Sequence, residues 1–214
     1  MEFDLIIFDC DGVLVDSEPI ANALLRDALE DHGLVMSLKQ VVETYVGRSM
    51  AAVVSISEEM LGRKLPDDFL DQLQVRTFKA FEQKLKPVDG IKTLIKALND
   101  RNAPICVASS GSFEKMDVTL GLTKLRDYFG GNIYSSSQVK RGKPYPDLYL
   151  FAAEKMQVEP AKCLVIEDSL PGVQGAVAAG MEVIAYSVRG EDEKLKKAGG
   201  LVFNHMADVM AHIG

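Results

Sequence analysis

Basic residues are in deficit: 24 Lys and Arg against 31 Asp and Glu leave a net charge of -7 in a chain of 214 residues. Such a balance supplies no positive surface for tracking a nucleic-acid backbone or an anionic membrane, so neither partner is expected. No apolar run approaches the roughly 20 residues of a membrane span. The opening residues, MEFDLIIFDCDG, have no basic start and meet acids early, which argues against a secretory leader. Cysteine is scarce and odd in number. Cys10, Cys106 and Cys163 each sit in an apolar run with no metal-ligand spacing between any two, and a reducing cytoplasm is the expected location. Histidine is as scarce, and His32, His205 and His212 are too scattered for a His-ligated metal or a His-dependent triad. Internal repeats and low-complexity segments are also absent. What is there is a chain with 47% hydrophobic residues, long enough for one domain with a large insertion or for two small domains. It is expected to be a monomer or weak homodimer that handles a small soluble partner.

Short apolar runs recur at residues 5–8, 105–108, 132–135, 163–166, 183–186 and 201–203. They are too short for helices and mostly end on turn or charged residues, so strands are expected. Helix-like stretches lie between most of them, at residues 89–101, 113–122, 146–156 and 170–179. This alternation implies parallel strands joined by crossover helices, hence an α/β fold with a doubly wound sheet. In the helix after Ile166, Ser169 is placed as N-cap, Pro171 in the first turn and Gly180 as a left-handed C-terminal cap.

The alternation fails from about residue 17 to residue 85, which reads as helix after helix. Ile20, Leu24, Ala28 and Leu29 follow helical spacing; so do Val41, Val42, Tyr45 and Val46; Phe69, Leu70, Leu73, Phe78 and Phe81 mark a longer helix. Gly33, Gly47 and Leu65-Pro66 punctuate the series. One strand precedes this block and the others follow it. The expected division is therefore a sheet-bearing core of residues 1–16 and 86–214, and an inserted helical cap of residues 17–85 that moves as a lid on two linkers.

The first apolar run leads directly into Phe8-Asp9-Cys10-Asp11-Gly12-Val13. In open α/β sheets ligands bind beyond the carboxyl ends of the strands, where Asp9 and Asp11 emerge. An acidic turn with Gly12 at positive φ would account for either aspartate alone. It does not account for Glu167-Asp168, which follows residues 163–166 in the same way. At an effective dielectric of about 20, each like-charge pair at about 4 Å costs about 4 kcal/mol, and a hard divalent cation would offset it. Mg²⁺ suits best, since it prefers oxygen ligands and takes one or two carboxylates plus a substrate phosphate. Taken alone, Glu167-Asp168 also reads as helix capping and dipole pairing. Two further strand ends carry the opposite chemistry. Ser109-Ser110-Gly111 and, on a loop stiffened by Pro144 and Pro146, Lys143 bring hydroxyls, amides and an ammonium that suit a phosphate. Their plainer readings are helix caps for the serines and a solvated surface position for the lysine.

In order, Asp9-x-Asp11-Gly12-Val13, Ser109, Lys143 and Glu167-Asp168 resemble the four motifs of the haloacid dehalogenase superfamily. Asp16-Ser17-Glu18-Pro19, Gly47-Arg48-Ser49, Lys143-Pro144-x-Pro146-Asp147 and Glu167-Asp168-Ser169-x-x-Gly172 look like the subgroup of β-phosphoglucomutases and small sugar phosphatases. The resemblance spans essentially the whole chain. It implies a Rossmann-like core with a helical cap inserted after the first strand. It also implies a Mg²⁺-dependent phosphatase that acts on a small phosphorylated metabolite, a sugar phosphate foremost, through an aspartyl-phosphate. On that resemblance Asp9 is the nucleophile and a metal ligand. Asp11 is the acid and then the base, with its main-chain carbonyl on the metal. Ser109, Ser110 and Lys143 hold the phosphoryl oxygens. Asp168 completes the metal shell, and Glu167 is a ligand or the partner of one. Arg48, in a cap loop, contacts substrate, with Arg76 and Lys79 as weaker candidates. The second aspartate is absent from the dehalogenases themselves, which disfavours dehalogenation, and the Asp-Lys-Thr-Gly-Thr string of cation pumps is missing. A sugar phosphomutase is the nearest alternative, followed by phosphonate hydrolysis and a catalytically silent binding module. β-Phosphoglucomutases carry a histidine where Ala21 stands, and Pro19, Ile20 and Asn22 offer no titratable substitute.

Overall fold

In a computed structural model that describes residues 3–46, 48–188 and 190–214, six strands form one parallel sheet. They are β1 (Leu5–Phe8), β2 (Ile105–Ser109), β3 (Ile133–Ser135), β4 (Cys163–Glu167), β5 (Glu182–Tyr186) and β6 (Leu201–Phe203). Their order is β3-β2-β1-β4-β5-β6. The three central strands, LIIF, ICVAS and CLVIE, are buried along their whole length. A parallel sheet covered on both faces requires such continuous apolar runs instead of alternation, which is why these strands stand out in the sequence.

The chain forms two compact units, Ser17–Leu85 and the pair of segments Met1–Asp16 and Lys86–Gly214. The first contains α1 (Glu18–Asp31), α2 (Leu38–Tyr45), α3 (Met50–Leu61) and α4 (Phe69–Lys84). Its core is built from Leu25, Leu29, Val41, Tyr45, Val53 and Phe69, one or two apolar positions from each helix. Ser37 and Gln40 form a reciprocal capping box at the start of α2, and Ser49 caps α3 by accepting from the amide of Ala52. Gly47 lies outside the described residues.

The second unit holds the sheet with α5 (Ile91–Asp100), α6 (Phe113–Leu122), α7 (Arg126–Phe129), α8 (Asp147–Lys155), α9 (Leu170–Ala178), α10 (Asp192–Lys197) and α11 (Met206–Ile213). Where the chain leaves this unit and returns to it, the two segments pair: Asp16 N donates to Lys86 O at 3.0 Å and Val88 N to Leu14 O at 3.0 Å. From β1 the strand order runs outward to β2 and β3 on one side and to β4, β5 and β6 on the other. That reversal is the topological switch point of a doubly wound sheet, and it falls at the carboxyl end of β1. Phe8 pairs with Val107 on one side and Ile166 on the other, so Asp9 and Glu167 leave adjacent strands at the same level. The register itself therefore delivers two acids to the switch point. Among the described residues no helix is long and apolar enough to cross a membrane.

Candidate active site

Asp9 is held at the end of β1 by its own backbone, whose N–H donates to Ile166 O at 2.9 Å. Its carboxylate, with those of Glu167 and Asp168, forms a buried group whose potential ligand atoms lie within 4.8 Å of one another. Lys143 closes this group. Its Nζ donates to Asp9 Oδ1 and to Glu167 Oε2, both at 2.6 Å, and its side chain is only 5% exposed. The reading of Lys143 as a solvated surface residue is thereby removed.

Glu167 is fully buried and saturated with donors. Oε2 accepts from Lys143 and from the Tyr149 hydroxyl at 2.7 Å, while Oε1 accepts from Asp168 N at 3.0 Å, Ser169 N at 2.9 Å and Ser169 Oγ at 2.8 Å. Part of the plain capping reading is therefore true, since Glu167 gathers the amides ahead of α9, whose N-cap is Ser169. The electrostatic consequences follow from this packing. Burial, then the neighbouring Glu167, push the Asp9 carboxyl up to about 7 against the pull of Lys143. Burial also acts to raise Glu167, but Lys143, Tyr149 and the Ser169 amide together bring it below the usual carboxylate range. Lys143 would be lowered by burial, yet Asp9 and Glu167 hold it well above the ordinary lysine value. Cys10, between the two aspartates, is buried, and burial with Asp11 and Asp9 raises its thiol well above normal, so it stays protonated and is no nucleophile.

Asp11 is not in the three-acid group. It lies past the strand, where Gly12 takes φ +78° and Leu14 and Val15 donate to Cys10 O at 2.9 and 3.0 Å, turning the chain back. Its Oδ2 receives Lys115 Nζ at 2.7 Å. Ser109 ends β2 buried, and its Oγ accepts from Gly111 N at 3.1 Å. Ser110 is exposed, and its carbonyl accepts from Ser136 Oγ at 3.1 Å, while Ser135 Oγ donates to Gly111 O at 2.7 Å. The cap of α6 is Ser112, which accepts from Lys115 N, so Ser109 and Ser110 are not that helix's caps. They form a braced loop ahead of it, at an end where amides favour an anion. Arg48 stands in the helical unit between α2 and α3, exposed, with Nε donating to Thr44 O at 2.7 Å. Lys115 and Tyr149 are site residues that sequence reasoning missed.

Comparison with known proteins matches the chain to a family. Residues 3–180 match haloacid dehalogenase-like hydrolases. The 6-phosphogluconate phosphatase of Escherichia coli is 27% identical over 96% of this chain and 92% of its own length. Hexitol phosphatase A of Escherichia coli is 30% identical over 89% of this chain and 86% of its own. A haloacid dehalogenase family hydrolase from Deinococcus radiodurans, solved with bound phosphate and sodium, superposes with a TM-score of 0.85 at 30% identity, covering 99% of this chain and 95% of that one. The chain belongs to the haloacid dehalogenase-like hydrolases, among the phosphatases of that family.

Proposed function

We propose that this enzyme hydrolyses small phosphomonoesters, sugar phosphates foremost, through an aspartyl-phosphate on Asp9, with Mg²⁺ as cofactor. The observation that carries the reading is the Asp9 carboxylate bracketed at 2.6 Å by Lys143 within a group of three buried acids. Hard oxygen donors packed this closely suit Mg²⁺, and Asp9 and Asp168 would hold it. Glu167 has both oxygens engaged, which favours its indirect role: it holds Lys143 in place. The cation would supply positive charge where phosphoryl oxygens gather.

In the first half-reaction an Asp9 oxygen bonds to phosphorus as the ester P–O bond breaks. Asp11 gives its proton to the departing alkoxide, and the alcohol leaves. In the second, Asp11, now a carboxylate, takes a proton from water as that water attacks phosphorus. The Asp9–phosphate bond breaks, inorganic phosphate leaves and Asp11 is protonated again. Lys143, Ser109 and the Ser110-Gly111 loop steady the phosphoryl oxygens throughout. Arg48 belongs to a separate unit and is proposed to contact the substrate's alcohol portion.

A phosphomutase must keep water from the phosphoenzyme until a sugar hydroxyl arrives, and the methyl of Ala21 offers no histidine-like switch for that. The names of the relatives also favour hydrolysis. Purified enzyme with Mg²⁺ is expected to release inorganic phosphate from several sugar phosphates and not to interconvert glucose phosphate isomers. Gain of one isomer matched to loss of another, without free phosphate, would reverse the assignment.

The raised Asp9 value gives a second prediction. A carboxyl near 7 in the folded protein and 3.8 ordinarily makes ionised Asp9 a burden on metal-free stability, growing from about pH 4 to about pH 7 and constant above. Mg²⁺ competes with the proton for that carboxylate. The rise in melting temperature on adding MgCl₂ is therefore expected to be larger at about pH 8 than at about pH 5.5. Equal rises at both would count against Asp9 as a metal ligand.

A further inference from the structure

Building on the phosphatase reading, we propose that Lys115 is a positioning residue, holding the Asp11 carboxylate at the angle from which it transfers its proton to and from the reacting oxygens. The two residues are 104 positions apart in sequence, yet Lys115 Nζ meets Asp11 Oδ2 at 2.7 Å. The pair is neither a surface ornament nor sealed away: the side chains are 32% and 23% exposed. Its placement is set by α6. Ser112 caps that helix and accepts from the amide of Lys115 itself, so the lysine leaves the first turn with a defined backbone.

From there the lysine stem passes close to the phosphate loop. A Cβ placed on Gly111 would lie 3.5 Å from Ser109 Oγ, 3.7 Å from Lys115 Cδ and 3.8 Å from Asp11 Oδ2. One small volume thus contains the loop hydroxyl, the lysine stem and the proton-transferring carboxylate. Asp11 meanwhile stands outside the group formed by Asp9, Glu167 and Asp168. An aspartate on a loop has several rotamers to choose from, and a fixed cation selects one of them. Proton transfer depends steeply on such geometry.

The test separates leaving groups. An alkyl phosphate needs a proton on its departing oxygen, whereas p-nitrophenolate leaves without one. kcat/KM covers the steps through departure of that first product, so it is the quantity to compare. Lys115→Met is expected to lower kcat/KM for a sugar phosphate by about 10²-fold and that for p-nitrophenyl phosphate by less than about threefold, and Lys115→Arg is expected to restore most of the loss. In an Asp11→Asn background the further change Lys115→Met should have little effect on either substrate. Equal losses on both substrates, losses that persist without Asp11, or no loss at all would overturn the inference alone. A wild-type enzyme that releases phosphate from neither ester would overturn the phosphatase reading, and this inference with it.

Discussion

Asp9→Asn is expected to lower turnover by roughly 10⁴-fold or more while leaving the protein folded. An amide cannot carry the phosphoryl group, so the two-step route closes altogether instead of slowing. The change is nearly isosteric, and Lys143 retains its 2.6 Å contact with Glu167, so no buried ammonium is stranded. Stability should move the other way from activity. Burial and Glu167 hold the Asp9 carboxyl up to about 7, which means that ionised Asp9 weighs against the metal-free fold, and asparagine removes that burden. The metal-free variant is therefore expected to melt at or above the wild-type temperature, and its gain on adding MgCl₂ to shrink. Thermal unfolding with and without the cation, beside a phosphate-release assay, checks both halves. Comparable turnover in the folded variant would remove Asp9 from the nucleophilic role.

The strand positions were legible because sheet burial on both faces writes itself into the sequence as unbroken apolar runs, and β1 and β4 fall where those runs lie. The ends of α9 were legible for a similar reason. Ser169 accepts from Gly172 N, and Gly180 takes φ +75°, both local chemistry that a few residues decide. The helix α10 had no such signature: six residues, DEKLKK, offer one buried side chain, Leu195, and too short a stretch for periodicity. Among the acids, the register that sets Phe8 opposite Ile166 makes Asp9 and Glu167 neighbours, and alternating strands and helices point to it. Lys115 was illegible, since a lysine in the first turn of a helix usually faces water and its partner comes from a distant strand end. Tyr149 was hidden differently: it reads as one more apolar position of α8, and only the fold brings its hydroxyl to Glu167. The sequence likewise allowed Ser109 as a helix cap, and only the presence of Ser112 in that position frees it for another use.

Gly172→Ala tests the saturation of Glu167 more severely than removing any one of its donors would. A Cβ on Gly172 would stand 2.0 Å from Glu167 Cδ and Oε2 and 2.5 Å from Cγ, well inside contact distance. A carboxylate at the end of a flexible side chain could ordinarily step aside. This one is fully buried, and the donors of Lys143, Tyr149, Asp168 and Ser169 all converge on it. Moving the helix instead would pull Gly172 N from its 3.1 Å bond to Ser169 Oγ. Either route disturbs the bracket around Lys143, and breaking a buried ion pair typically costs about 3–5 kcal/mol. The better helix propensity of alanine returns only about 1 kcal/mol, so the fold is expected to lose about 2–4 kcal/mol and turnover to fall with it. Gly121→Ala in α6 is the control, because a Cβ there meets nothing within 4 Å. That change should leave turnover alone and be neutral or stabilising by up to about 1 kcal/mol. Urea unfolding of both variants, with phosphate release measured on each, separates the two outcomes. A wild-type midpoint and wild-type turnover in Gly172→Ala would mean that Glu167 can leave its place without consequence, and its part in holding Lys143 against Asp9 would have to be given up.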